Sequence, residues 1–150
     1  MRTLVAAGIG AAALVIAGAA GAQAGSWTYA YANGTATATE RNEDGRVTAT
    51  IACQPPTGDI ILSDFTLARE ARRARTASVR IGNMSVNVPV RAEGRGRNRA
   101  AVIALPQRPP ILAAVQPDDR ITVTINGESR TMGAGSATKM KEVAYACWGS

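Results

Sequence analysis

"ITVTINGESRTMGAGSATKMKEVAYAC", Ile121 to Cys147, decides the fold. Ile121, Val123 and Ile125 alternate with Thr122 and Thr124, the period-two pattern of a strand with one buried face. Asn126-Gly127 is the dipeptide that two-residue type I′ hairpin turns favour, because both residues tolerate positive φ. After a glycine-serine hinge, Ala137, Met140, Val143, Ala144 and Cys147 recur at three- and four-residue steps, which is one face of a helix. Lys139, Lys141 and Glu142 fall mostly outside that stripe, and Ser136 stands where an N-cap would accept free backbone amides. A hairpin is therefore followed by a short helix that lays its apolar face on the sheet and carries a thiol at its far end.

Outward from this stretch, the same pattern repeats. "SWTYAYANGTATATERNEDGRVTATIACQ" alternates almost throughout, with turns at Asn33-Gly34 and Asp44-Gly45. Trp27, Tyr29 and Tyr31 share one face, as do Val47, Ala49, Ile51 and Cys53. "IILSDFTL" is a further strand, and "AREARRAR" reads as one helical turn or a charged loop. "TASVRIGNMSVNVPVR" is a hairpin around Gly82-Asn83, in which Pro89 cannot donate to a ladder and so marks an edge or a bulge. "AAVIAL" is a brief buried strand, and "PQRPPILAAVQPDD" a proline-bounded helical turn with Ile111, Leu112 and Val115 inward. Many short strands joined by such turns predict an antiparallel β-sandwich or partly closed barrel, with a short C-terminal helix packed on the sheet.

The chain begins with Arg2, continues in an uncharged Ala/Gly/Val/Leu/Ile run and reaches Ala22-Gln23-Ala24. That order describes a secretory signal peptide over residues 1–24, cleaved after Ala24, and a single exported domain over 25–150. No later segment is apolar enough to span a bilayer. Periplasmic or secreted localisation follows, in a compartment where disulfides persist. Cys53 ends an inward strand face and Cys147 ends the helical stripe; with no histidine and no CxxC spacing, the pair reads as a disulfide rather than a metal site. Closing a loop of about 94 residues stabilises a fold by ~4–5 kcal/mol in the chain-entropy model.

Without Arg2, sixteen basic side chains face eleven acidic ones, a net charge of +5. All but Lys139 and Lys141 are arginines, although arginine together with so much alanine is also what a GC-rich genome produces. Two clusters stand out: Arg69, Arg72, Arg73 and Arg75, then Arg91, Arg95, Arg97 and Arg99. They flank the hairpin Thr76 to Val90, so both lie at its open end. Arginine forks bind phosphate and carboxylate bidentately, which suits lipopolysaccharide phosphates, anionic lipid headgroups or an acidic envelope protein. The plain alternative is a solvated loop end that discourages edge aggregation. Nucleic acid fits the charge less well, since no aromatics interleave these loops.

Catalytic chemistry is poorly represented. The absence of histidine removes serine–histidine and cysteine–histidine mechanisms, and "GAGSA" around Ser136 is not a G-x-S-x-G elbow. Asp59, Asp64, Asp118 and Asp119 are the candidates for a carboxylate pair in an envelope-glycan hydrolase, though each sits beside a turn or strand end, where Asp is common. Asp118-Asp119 lacks the ligand spacing of a calcium loop. Trp27, Tyr29 and Tyr31 offer either a sugar-stacking face or core packing. The reading is a non-enzymatic envelope domain, without cofactor or metal, that binds an anionic component or a protein partner through its arginine-rich end.

The order of parts also resembles a known group. A Trp-containing strand, the "G-x-V-x-A-x-I-x-C" strand, a "V-x-I" hairpin, "PPILAAV", "ITVTINGES" and "GAGSATKMKEVAYAC" are similar to the periplasmic β modules of Gram-negative bacteria. That group includes the invasion-associated locus B proteins and type VI secretion-associated proteins. Covering most of Trp27 to Cys147, the resemblance implies an antiparallel β-sandwich-like fold, a helix packed at its end, Cys53 joined to Cys147, and an envelope role linked in some bacteria to host-cell invasion or colonisation.

Overall fold

The computed structural model describes residues 25–54, 58–106 and 109–148; the expected signal segment 1–24 lies outside them. In chain order the elements are β1 (Ser26–Ala32), β2 (Thr35–Arg41), β3 (Val47–Gln54), β4 (Asp59–Asp64), α1 (Ala68–Ala71), β5 (Thr76–Ile81), β6 (Met84–Glu93), β7 (Ala100–Leu105), β8 (Ile121–Ile125), β9 (Glu128–Thr131) and α2 (Ser136–Trp148). The strands form one antiparallel sheet in the order β1-β2-β3-β4-β7-β6-β5-β8-β9. It curls into a half-barrel with α2 packed against it. Among the described residues no helix is long and apolar enough to cross a membrane.

The turn chemistry accounts for the hairpins. Asn33 and Gly34 take φ values of 52° and 77°, and Asn126 and Gly127 take 51° and 85°. Two-residue turns of this kind set register as well as connection, pairing Trp27 with Glu40 and Val123 with Arg130. "AREARRAR" resolves into the single turn α1, and Pro110–Leu112 into a 3-10 turn with Ile111 and Leu112 buried.

Strand β6 makes the corner. Its first part pairs with β5 and its last four residues, Val90 to Glu93, pair with β7. Pro89 lies at the changeover. The Val90 amide donates to the Arg75 carbonyl on the β5 side, so the position before it faces the other way, where pairing with β7 has not begun. The missing N–H of Pro89 thus costs no ladder bond, although β6 is interior in strand order.

The inner faces of the strands, with Ile51, Leu62, Val79, Ile103 and Val123 among them, share one core with Met140, Val143 and Ala144 of α2. Trp27 packs against that core, but Tyr29 and Tyr31 are 38% and 61% exposed. They point to the same side as their buried partners Ala38 and Ala36; β1 is an edge strand, and among the described residues no strand pairs beyond it. The hydroxyl of Ser136 also departs from expectation. It is buried and accepts from the Ile121 amide at 2.9 Å, pinning the start of α2 to β8 instead of capping the helix.

Cys53 and Cys147 are joined, their Cα atoms 6.0 Å apart across a sequence separation of 94. Beside them, the Trp148 indole donates to the Gly58 carbonyl. The two ends of the curl also meet at Gly25 and Gly133. A Cβ built on Gly133 would stand 2.0 Å from the Gly25 carbonyl oxygen, so only glycine fits there.

Two outcomes follow. Replacing both cysteines by alanine lowers stability in urea unfolding by ~4–5 kcal/mol. The Gly133→Ala variant costs well over the ~1 kcal/mol of an average point mutation in the same assay, because backbone rather than a side chain must move.

Candidate anion-binding groove

Three charged side chains meet on the inner side of the sheet. Glu40 on β2 and Asp64 at the end of β4 are both fully buried, and Arg130 on β9 reaches them with a side chain 16% exposed. Its Nη1 donates to Asp64 Oδ2 at 2.6 Å and its Nη2 to Glu40 Oε2. Burial works against the Arg130 charge, but the attraction of Asp64 and then of Glu40 outweighs it, and the guanidinium pKa is raised above its ordinary value.

The remaining carboxylate capacity is also used. Glu40 Oε1 accepts from the Gly133 amide at 2.7 Å, and Oε2 accepts from Thr48 Oγ1 at 2.6 Å. Asp64 Oδ1 accepts from the Thr66 amide and hydroxyl, each at 2.7 Å, and from the Leu67 amide at 3.0 Å. These bonds hold the backbone that leads into α1.

Thr48 and Thr66 also line an open groove of about 1200 Å³ directly above this cluster. Its cationic lining comes from three places: Arg46 before β3, Arg69 and Arg72 around α1, and Arg97 and Arg99 between β6 and β7. The last loop turns back on itself at Gly94, where φ is 84° and an added Cβ would lie 2.3 Å from the Asn98 carbonyl oxygen. No carboxylate among the described residues lines the groove. Among the described residues, Arg46, Arg69, Arg72 and Arg97 take part in no ion pair, and Arg99 donates only to the Gly94 carbonyl, at 3.5 Å. Several unneutralised guanidinium groups on one concave surface repel each other, and an anion placed among them relieves that repulsion.

Of the eight arginines singled out from the sequence, the groove gathers Arg69, Arg72, Arg97 and Arg99. Arg73, Arg75 and Arg95 are exposed outside its lining, and Arg91 pairs with Glu93 on the surface. Arg46 was not anticipated; it becomes a neighbour only because β3 pairs with β4 and brings the β2–β3 turn beside the start of α1. The candidate carboxylates are dispersed. Asp59 and Asp64 end opposite ends of β4, about 17 Å apart at ~3.4 Å per residue. Asp119 accepts from the Gln116 amide at 2.8 Å near Gly82. The carboxylate beside Asp64 is instead Glu40, and both are shut away from solvent. No group of three or more His, Cys, Asp or Glu side chains among the described residues is placed to hold a metal ion.

Arg130→Met strands two buried carboxylates and destabilises the domain by ~3–5 kcal/mol in urea unfolding. Changing Glu40 and Asp64 to Gln and Asn in the same chain recovers part of that loss, because the stranded charge is then gone. No family model, no curated protein and no solved structure matches the chain.

Proposed function

We propose that this chain is an exported, non-enzymatic envelope protein that binds an anionic ligand in the groove formed by Arg46, Arg69, Arg72, Arg97 and Arg99. The observation that carries this reading is the grouping of five arginines from three separate segments on one concave surface, with no carboxylate in its lining among the described residues. A solvated loop end alone has no need of that convergence. Export rests on the leader-like start of the chain, and the resemblance to periplasmic β modules supports an envelope setting.

Binding is electrostatic, so it weakens as salt rises. The protein should sediment with vesicles containing phosphatidylglycerol and not with neutral phosphatidylcholine vesicles. Arg46→Glu, Arg69→Glu and Arg97→Glu together lower that binding at least tenfold, given about 1 kcal/mol per basic residue at an anionic surface. Reversing Arg73, Arg75 and Arg95 is the matched control for net charge and should cost clearly less. Equal losses from the two sets would make the interaction diffuse and the groove irrelevant.

A further inference from the structure

The floor of the groove has a chemistry of its own. Phe65 is the only phenylalanine in the chain, and its ring is larger than any of the Ala, Val, Ile, Leu and Met side chains that are fully buried in the core. It is not used there. Phe65 stands half-buried in the groove lining, outside the core cluster, and its neighbours in that lining include Val47, also half-buried, and Ala68. Its backbone is fixed, since the Phe65 amide donates to the Thr48 carbonyl at 3.0 Å and Asp64 grips the two residues that follow. The ring is thus held at the surface by the same buried cluster that positions the α1 arginines.

A simple anion uses only the guanidinium groups and leaves this apolar floor wet. A ligand with an apolar segment next to its charge uses both. We infer that the groove takes an amphiphilic anion, an alkyl or acyl chain carrying a phosphate head, with the head among the arginines and the first part of the chain on Phe65, Val47 and Ala68. This deepens the proposed function and rests on it. An aliphatic chain fits better than a planar base: among the described residues the lining offers one aromatic ring with aliphatic neighbours, and no second ring to complete a stack.

The test is calorimetric titration of the disulfide-intact protein with ethyl phosphate, octyl phosphate below its micelle concentration, and adenosine monophosphate. Octyl phosphate should bind at least tenfold more tightly than ethyl phosphate, on the order of what burying two or three methylenes supplies. Phe65→Ser should reduce octyl phosphate to the level of ethyl phosphate, while Phe65→Leu keeps the preference. Should Phe65→Ser fail to fold by circular dichroism, the chain-length comparison in the unaltered protein decides alone. Equal affinity for the two alkyl phosphates, or adenosine monophosphate matching octyl phosphate, overturns the inference and leaves anion binding standing. If none of these probes and no anionic vesicle binds, both readings fall together.

Discussion

One guanidinium group, that of Arg130, ties β9 near one end of the sheet to β2 and β4 near the other. Backbone pairing alone leaves an open ribbon of strands with two free edges. The side chain that crosses the curl closes it without a ninth ladder, and the Gly133 amide adds a second tie to the same Glu40 carboxylate. A buried ion cluster of this kind is weak as a source of net stability, because desolvation of each charge opposes the attraction. Its effect is on uniqueness: with Glu40 and Asp64 facing inward, any register that fails to bring Arg130 to them leaves charge unpaired in the core.

The strands, their turns and the face presented by α2 were legible in the sequence because each depends on local periodicity or on Asn-Gly dipeptides. The Cys53–Cys147 pair was legible as well, since both cysteines end an inward-facing stripe. Arg130 and Glu40 were missed, yet register arithmetic reaches them. A two-residue turn at Asn126-Gly127 sets Arg130 opposite the inward Val123, and Glu40 continues the inward parity of Ala36 and Ala38. A buried charge on the core-facing parity of a strand requires a partner, and among the described residues Arg130 meets Glu40 and Asp64 in such positions, whereas Glu128, of the same parity as Arg130, is exposed beside the turn. What no local pattern shows is the strand order that joins them, over sequence separations of 66 and 90 residues. Arg46 was missed for the same reason. Conversely, Arg73 and Arg75 were grouped with Arg69 and Arg72 by proximity in sequence, but leave the groove as the chain runs from α1 into β5.

Support and surface are joined through Thr48 and Thr66, each of which both lines the groove and binds a buried carboxylate. The groove arginines make no ion pair among the described residues, so their order comes from the backbone beneath them. Asp64 orders the stretch that carries Phe65 and leads to Arg69, while Glu40 orders Thr48 beside Val47. The positive surface therefore sits on a buried cluster in which one guanidinium group serves two carboxyl groups.

The disulfide divides the chain topologically. Residues between Cys53 and Cys147 form a closed covalent ring that contains β4 through β9 and both arginine segments of the β5–β6 hairpin's open end, whereas β1 and β2 lie on a tail outside it. A protease that cuts after Arg95 or Arg97, in the exposed loop between β6 and β7, opens the ring without releasing a fragment. The nicked protein keeps its mass apart from one added water and separates into two pieces only under reduction. A cut in the β2–β3 turn, by contrast, frees β1 and β2 to depart, held by hydrogen bonds, packing and the Arg130 contact alone. Resistance to trimming is thus unequal along the chain, and the bond that fastens the last helix also shelters the arginine-bearing loop from loss.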